Sequence, residues 1–208
     1  MILDLHIHTT AYSPCSEMSP DELMIAAKKI GLDGVCVTEH DRLWTPEEAV
    51  ALSEEHGLPV FRGMEVTTTG GDILVFGLEE EPKEIWTPGE LKEKVDQAGG
   101  VAIAAHPFRG FLVFGFGTLQ MDLSHAVETP VLGGVHGVEV CNGNVTDDEN
   151  DLARRVADEM GLLKVGGSDA HVRGKVGKCV TRFEADIENE EQLIKAIFSG
   201  NYSVETLK

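Results

Sequence analysis

Three segments of the chain carry the same helix-start signature, and each follows a short apolar run. Residues 19–22 (SPDE), 45–48 (TPEE) and 87–90 (TPGE) each supply a hydroxyl N-cap, a proline at the first helical position and an acid in the first turn. Apolar runs that alternate with helices of this length are typical of βαβ units. The pattern therefore predicts an α/β protein built on a parallel sheet or barrel.

The same reading along the chain predicts nine strands and five helices. Its strands are residues 2–7, 34–40, 58–65, 70–78, 99–106, 136–142, the start of 162–171, 178–183 and 201–207, and its helices are residues 19–30, 45–56, 87–98, 146–160 and 190–199. Residues 107–120, rich in glycine and phenylalanine, match no period and are interpreted as a loop. No linker interrupts the pattern, so we expect one domain over residues 1–208.

The charge of the chain restricts its partners. The 208 residues include 17 basic and 36 acidic ones, for a net charge of -19. Such a surface repels anionic membranes and extended nucleic acid, while a short oligonucleotide or a small phosphate ester held locally remains compatible with it. The sequence leaves the oligomeric state unknown.

The N-terminal residues lack the basic segment and long apolar core of a secretory leader, which favours a cytoplasmic protein. We therefore expect the four cysteines to be reduced, as buried thiols or ligands.

His6 and His8 lie two residues apart in the first strand. Side chains alternate faces along a strand, so both imidazoles point the same way. Neutral imidazole is a common ligand for transition metals. The pair thus predicts a metal site if other strands supply more ligands.

The ends of other strands supply them. Residues at the carboxyl ends of parallel strands gather on one face of an α/β barrel, where ligands bind. Metal-capable side chains occupy such positions in six predicted strands or the loops that follow them: His6, His8, His40, Glu65, His106, Cys141, Asp169 and His171.

These ligands predict more than one ion. His6, His8, Glu65 and Asp169 would hold one ion, and Glu65 could bridge it to a second ion held by His106. His40 and His171 could hold a third. Adjacent divalent ions polarise a phosphoryl oxygen and activate water, which is the chemistry of phosphoester hydrolysis.

The ordered segments DLHIHTT, TEHD, GMEVT, AHPFRG, EVCN and GSDAH resemble the PHP (polymerase and histidinol phosphatase) superfamily of metal-dependent phosphoesterases along the whole chain. This resemblance implies a distorted (β/α)7 barrel with two or three divalent ions, zinc, manganese or iron. It also implies the ligands already named, namely His6, His8, His40, Glu65, His106, Asp169 and His171.

Three positions depart from the pattern of that family. Glu39 stands where Asp is usual, Cys15 lies about where many members carry an Asp or His ligand, and Cys141 replaces a residue that is often histidine. Cys15 and Cys141 are therefore candidate soft ligands for zinc or iron, or plain cysteines.

Arg109 follows His106 by three residues and is a candidate clamp for the substrate phosphate, because guanidinium binds phosphate oxygens in a bidentate manner. His40 and His171 are candidates for catalytic proton transfer. Arg173, Lys175 and Lys178 follow His171, and the sequence leaves open whether they face phosphate or solvent.

The sequence thus predicts an enzyme, a phosphoric ester hydrolase acting on a small phosphorylated metabolite or nucleotide through a metal-activated water. The alternatives are a 5′-end exonuclease on short RNA or DNA and a non-catalytic metal-binding module of the same superfamily.

Overall fold

The computed structural model describes residues 1–110 and 123–207. Nine strands and six α-helices lie in this part of the chain. The strands are β1 Ile2–Ile7, β2 Gly34–His40, β3 Val60–Thr68, β4 Gly71–Phe76, β5 Val101–Ala104, β6 Gly137–Asn142, β7 Leu163–Gly167, β8 Cys179–Phe183 and β9 Tyr202–Thr206. The helices are α1 Pro20–Ile30, α2 Pro46–His56, α3 Pro88–Ala98, α4 Leu123–Ala126, α5 Asp147–Met160 and α6 Glu190–Ser199.

All nine strands belong to one mixed sheet in the order β7-β6-β5-β4-β3-β2-β1-β8-β9. The β1–β2, β2–β3, β5–β6 and β6–β7 pairs are parallel. Strand β4 runs antiparallel to both neighbours, β8 runs antiparallel to β1, and β9 to β8. The sheet curls into a nearly closed barrel, which confirms the predicted distorted α/β barrel, with antiparallel strands as the distortion.

Local capping explains why the helices begin where the sequence predicts. Ser19, Thr45, Thr87 and Thr146 each form a capping box with the glutamate three residues later. A glycine with left-handed backbone ends α1, α2, α3, α5 and α6. Both signals are local in sequence, so the predicted bounds of these helices are confirmed to within a residue or two.

Several strand ends differ from the prediction by one to three residues, and two of them lie next to candidate ligands. β3 continues past Glu65 to Thr68, because it pairs with β4 in a hairpin whose register joins Glu65 to Leu74. β5 ends at Ala104, two residues before His106, whose φ of 29° cannot continue a strand. Both candidate ligands nevertheless remain at the same edge of the sheet.

Strand β1 lies at the centre of the molecule. Its apolar side chains Leu3, Leu5 and Ile7 are fully buried, as are Asp4, His6 and His8. The segment after β7 returns to this strand, since His8 N donates to Ala170 O at 3.0 Å and Ala170 N donates to His6 O at 3.2 Å. The chain from Asp169 to His171 is therefore fixed beside the two histidines.

Among the described residues, no helix combines the length and apolar character needed to cross a bilayer. Of the predicted loop at 107–120, residues 111–120 lie outside the described part of the chain. The extent of the domain remains a prediction.

Candidate metal centre

His6 and His8 point to the same side of β1, as their spacing predicts. Their Nε2 atoms lie 3.0 Å apart in a fully buried environment. The rings of His40 and His171 both pack against that of His8, with ring centroids 4.3 Å and 4.4 Å from it and 6.1 Å from each other. Four imidazoles from three separate segments thus meet at one point.

Glu65 lies between these rings. Its Oε1 accepts a hydrogen bond from His106 Nε2 at 2.9 Å. Its Oε2 lies 3.1 Å from His8 Nε2, 3.1 Å from His40 Nδ1 and 3.4 Å from His6 Nε2. Within the described residues this buried oxygen nevertheless has no hydrogen-bond donor. A buried, unpartnered carboxylate oxygen among imidazole nitrogens is the environment that a metal ion would satisfy.

Asp169 completes the cluster from the side of β7. Its Oδ1 lies 3.5 Å from His8 Nε2 and 3.6 Å from His6 Nε2, and 3.4 Å from His171 Nδ1. The position of Asp169 is set by the pairing of Ala170 with β1 described above. The carboxylate therefore faces the same space as Glu65.

Three groups of potential ligands result, and neighbouring groups share histidines. In each group the ligand atoms lie within 4.8 Å of one another; the groups are His6, Glu65 and His106; His6, His8 and Asp169; and His8, His40 and His171. The nitrogen and carboxylate donors suit zinc, manganese or iron. The cluster supports the binding of divalent metal by this chain.

Backbone strain coincides with this cluster. In the described residues, only three non-glycine residues have positive φ, namely Asp41 at 53°, His106 at 29° and Asp169 at 51°. Two of them are candidate ligands and the third follows His40. Strained backbone of this kind is concentrated at functional sites, where the surrounding structure holds side chains in one orientation.

The electrostatics of the cluster are set by burial and by the carboxylates. Burial opposes a charge on His6, but Glu139 and Glu65 outweigh it and raise the pKa of His6 to about 10. Burial lowers the pKa of His8 to about 3, because it outweighs the opposing effect of the Glu65 carboxylate. Burial favours the neutral form of Glu65, yet the charge of His6 and the neighbouring histidines keep its pKa well below the usual range. Glu65 is thus an anion available to a cation.

Glu139 is a residue at this site that the sequence reading missed. It lies in β6, is 1% exposed, and its Oε1 accepts from His6 Nδ1 at 3.0 Å. Its Oε2 accepts from the backbone N–H of His106 at 2.9 Å and from Asn142 Nδ2 at 2.8 Å. Glu139 therefore orients two candidate ligands and lies in none of the ligand groups itself.

Two other supporting residues are Ser13, in the loop after β1, and Glu39, in β2. The Ser13 hydroxyl is 3.3 Å from His8 Nδ1 and accepts from His40 N at 3.3 Å. Glu39, the substituted residue of the TEHD segment, accepts from Thr9 N and from Trp44 Nε1. The carboxylate at position 39 fixes the loop after β1 and lies in none of the ligand groups.

Arg109 lies against the cluster, with Nη2 in contact with Asp169 Oδ2 and a side chain that is 42% exposed. Its planar guanidinium carries only hydrogen-bond donors, which suits the oxygens of an anion. Its position between solvent and Asp169 is consistent with a role in binding an incoming anion.

The cysteines require a correction. Cys141 is joined to Cys179 by a disulfide, so its sulfur is not a free thiolate, and the expectations that it is a ligand and that all four cysteines are reduced are wrong. The sequence reading failed here because the partner lies 38 residues away on another strand. Cys15 is a free, exposed thiol and lies in none of the ligand groups of the described residues.

Comparison with known sequences gives a match to a family model and a match to a relative. The model of the PHP-associated family matches residues 147–202. The uncharacterized protein MJ1587 of Methanocaldococcus jannaschii is 36% identical over 118 residues, an alignment that covers 52% of this chain and 68% of that protein.

Solved structures share the fold over nearly the whole chain. A two-domain protein from Bacteroides vulgatus, which contains a predicted PHP-like metal-dependent phosphoesterase, superposes with a TM-score of 0.73 at 19% identity, covering 100% of this chain and 65% of that one. A protein of Bifidobacterium adolescentis, named provisionally as a metal-dependent phosphoesterase, gives 0.66 at 18% identity, with coverage of 94% and 95%. The lesion-specific endonuclease EndoQ of Pyrococcus furiosus gives 0.64 at 19% identity, with coverage of 98% and 58%.

Proposed function

This chain belongs to the PHP superfamily, and we propose that it is a metal-dependent phosphoesterase that hydrolyses a phosphate ester of a small metabolite or nucleotide. The observation that supports this proposal most is the position of Glu65 Oε2, buried without a donor among the nitrogens of His6, His8 and His40. Without a metal ion, this buried carboxylate oxygen would remain without a hydrogen-bond donor, which destabilises the folded protein.

The ligand set assigns the residues that would hold the ions. His6, His8, Glu65, His106 and Asp169 would hold two of them, and His40 and His171 a third. When bound, such ions supply charge for a phosphoryl oxygen and a nucleophile from water at neutral pH.

The residues at the outer side of the cluster would act on the substrate itself. Arg109 is partly exposed and can donate two parallel hydrogen bonds to the phosphate of the ester. His40 and His171 have partly exposed imidazoles, whereas His6 and His8 are fully buried. His40 and His171 are thus the groups that can reach both the cluster and the solvent to move a proton.

The substrate class follows from charge. A net charge of -19 opposes the binding of long nucleic acid. A small ester, held at one cluster by one arginine, avoids that repulsion. We propose that the protein works in the cytoplasm on such a substrate.

Metal analysis combined with a panel of phosphate esters tests the proposal. The wild type, loaded with manganese, zinc or iron, is expected to hydrolyse at least one small phosphate ester. The Asp169→Ala and His8→Ala variants are expected to bind less metal, and their kcat/KM is expected to fall by at least about 10³-fold. His125→Ala removes an exposed histidine outside the cluster and is the matched control, expected to retain both.

The contrary results are distinct. Full activity in a metal-depleted Asp169→Ala protein would exclude a metal-dependent mechanism. Metal binding without turnover of any ester would indicate the non-catalytic module. Preferred turnover of a 5′-phosphorylated oligonucleotide over a nucleotide would indicate the exonuclease.

A further inference from the structure

Two lysines converge at the same edge of the sheet as the metal centre. Lys175 Nζ and Lys178 Nζ both donate to the carbonyl oxygen of Gly143, at 3.3 Å and 3.0 Å. Gly143 directly follows β6, the strand that carries Glu139. One neutral carbonyl oxygen does not balance two ammonium charges.

A short series of contacts connects this lysine pair with the candidate ligand Asp169. Gly143 packs so closely on the neighbouring segment that a Cβ there would lie 2.6 Å from the carbonyl oxygen of Ser168. The next residue, Asn144, donates its side-chain amide to the carbonyl oxygen of Asp169. The lysine pair and the backbone of Asp169 thus contact adjacent residues, Gly143 and Asn144.

The charges near the pair distinguish it from its neighbour on the same loop. Arg173 lies 3.6 Å from Glu22, whereas neither lysine has a carboxylate oxygen within 4.0 Å among residues 1–110 and 123–207. Burial and the adjacent Lys178 ammonium lower the pKa of Lys175. In a protein with a net charge of -19, two unpaired ammonium groups side by side form a local site for an anion.

We propose that Lys175 and Lys178 bind a second phosphate group of the substrate while the ester to be hydrolysed is held at the metal centre. The inference rests on the proposed phosphoesterase function and narrows it to substrates that carry two phosphates. Lysine binds phosphate as a mobile point charge, so the pair can follow a phosphate whose distance from the metal centre varies between substrates. Arg109 and the lysine pair would then bind the two ends of one molecule.

Matched pairs of substrates test this proposal. The panel contains a hexose 1,6-bisphosphate, a nucleoside 3′,5′-bisphosphate and alkanediol bisphosphates of increasing chain length, each with its monophosphates, and a 5′-phosphorylated dinucleotide. The wild type is expected to prefer at least one doubly charged substrate by tenfold or more in kcat/KM. Lys175→Ala/Lys178→Ala is expected to lose that preference through a higher KM, with less than a twofold effect on the monophosphates.

Two further variants separate a specific contact from a general effect of charge. Lys175→Arg/Lys178→Arg is expected to keep most of the preference, because both positive charges remain. Arg173→Ala removes one charge from the same loop at a residue already paired with Glu22, and it is expected to keep the preference in full. A preferred bisphosphate identifies a terminal phosphate as the second group, and a preferred dinucleotide identifies an internucleotide phosphate.

The proposal is overturned if the wild type prefers none of the doubly charged substrates. It is also overturned if the double alanine variant loses as much kcat/KM on the monophosphates as on the bisphosphates, or if Arg173→Ala loses the preference as the double variant does. If the wild type hydrolyses no ester at all, the phosphoesterase function fails separately. Equilibrium dialysis of the same bisphosphates and monophosphates against wild type and the double alanine variant then decides on the lysine pair alone.

Discussion

Glu139 accepts a hydrogen bond from His6 Nδ1 at 3.0 Å, and both side chains are fully buried. When His6 is deprotonated to bind a metal, Nδ1 remains the donor and the lone pair is on Nε2, which faces Glu65 and His8. The other oxygen of Glu139 holds the backbone N–H of His106. One carboxylate thus fixes the orientation of two candidate ligands that lie 100 residues apart in the chain.

Glu139→Gln is expected to lower metal affinity by about 10- to 100-fold, the usual effect of removing a group that orients a ligand histidine. The amide oxygen can accept either the one hydrogen bond from His6 or the two from His106 and Asn142, and in both cases the NH₂ group faces a donor. Competition with a chromogenic chelator measures the affinity. Asn142→Ala, which removes only one donor to Glu139, is expected to give a smaller loss. Unchanged affinity in Glu139→Gln would show that the residue serves only the stability of the barrel.

The sequence does contain an indication that Glu139 belongs to a polar site, although it does not lie at the end of its strand. In GVEVCN a lone carboxylate interrupts a buried apolar strand, and alternation places it on the same face as Cys141. The cysteine was read as a ligand because it stands at the strand end. The buried glutamate, which is costly without partners, was the stronger indication of a polar site on that face.

Local signals account for what the sequence predicted well. Capping boxes and terminal glycines lie within a few residues of the helix ends that they determine, so these ends could be read directly. The hairpin that joins β3 to β4 is likewise local and was predicted. The pairing of Cys141 with Cys179 and the strained backbone of His106 depend on residues distant in sequence. These features could not be derived without the fold.

Gly167→Ala is expected to disrupt the metal centre by displacing His6 and Glu139, which pack against the backbone of Gly167. A Cβ at this position would lie 2.5 Å from His6 Cβ and 2.8 Å from Glu139 Oε1, so the two side chains would have to separate. We expect metal affinity to fall at least tenfold and the free energy of unfolding to fall by about 1–3 kcal/mol. Metal titration and urea denaturation measure the two effects.

Gly89→Ala is the matched control, because a Cβ at this helical position meets no described atom within 4 Å. Alanine favours a helix over glycine, so the stability of this variant is expected to be equal to or slightly above that of the wild type. If Gly167→Ala also behaved in this way, the close packing of His6 against Glu139 would not be required for metal binding.

Arg62 links the sheet to the C-terminal helix. Its side chain, 8% exposed, donates to Glu190 at 2.8 Å and 2.9 Å and to Glu79 at 2.7 Å. Arg62→Met is expected to lower the free energy of unfolding by about 1–3 kcal/mol, because it removes hydrogen bonds to two carboxylates that are themselves partly exposed. Activity is expected to be retained, since none of these groups contacts the metal centre.

Arg182→Met provides the comparison for Arg62, because Arg182 makes a similar bidentate pair with Glu205 at 2.8 Å and 3.0 Å on the exposed surface. Its loss is expected to cost less than about 1 kcal/mol. Urea denaturation measures both effects. If the two substitutions lowered the free energy of unfolding equally, burial of the Arg62 guanidinium would not increase the stabilisation from its ion pairs.

The Cys141–Cys179 disulfide joins the end of β6 to the start of β8 across 38 residues. A cross-link of that length restricts the unfolded chain and stabilises the fold by about 4 kcal/mol on chain-entropy grounds, with measured values of about 2–4 kcal/mol. The double variant Cys141→Ala/Cys179→Ala is expected to lower the free energy of unfolding by about 2–4 kcal/mol, and reduction of the wild type is expected to have the same effect. Because Cys141 is paired rather than a ligand, metal content is expected to be unchanged.

Thiol titration checks the redox state on which this prediction depends. Denatured, unreduced protein is expected to show two reactive thiols, those of Cys15 and Cys36, and four after reduction. Cys15→Ser is expected to lower both counts by one without altering stability or metal content, because the thiol is exposed and outside the ligand groups. Four thiols before reduction, together with loss of metal in Cys141→Ala, would instead make Cys141 a ligand and remove the disulfide as a source of stability.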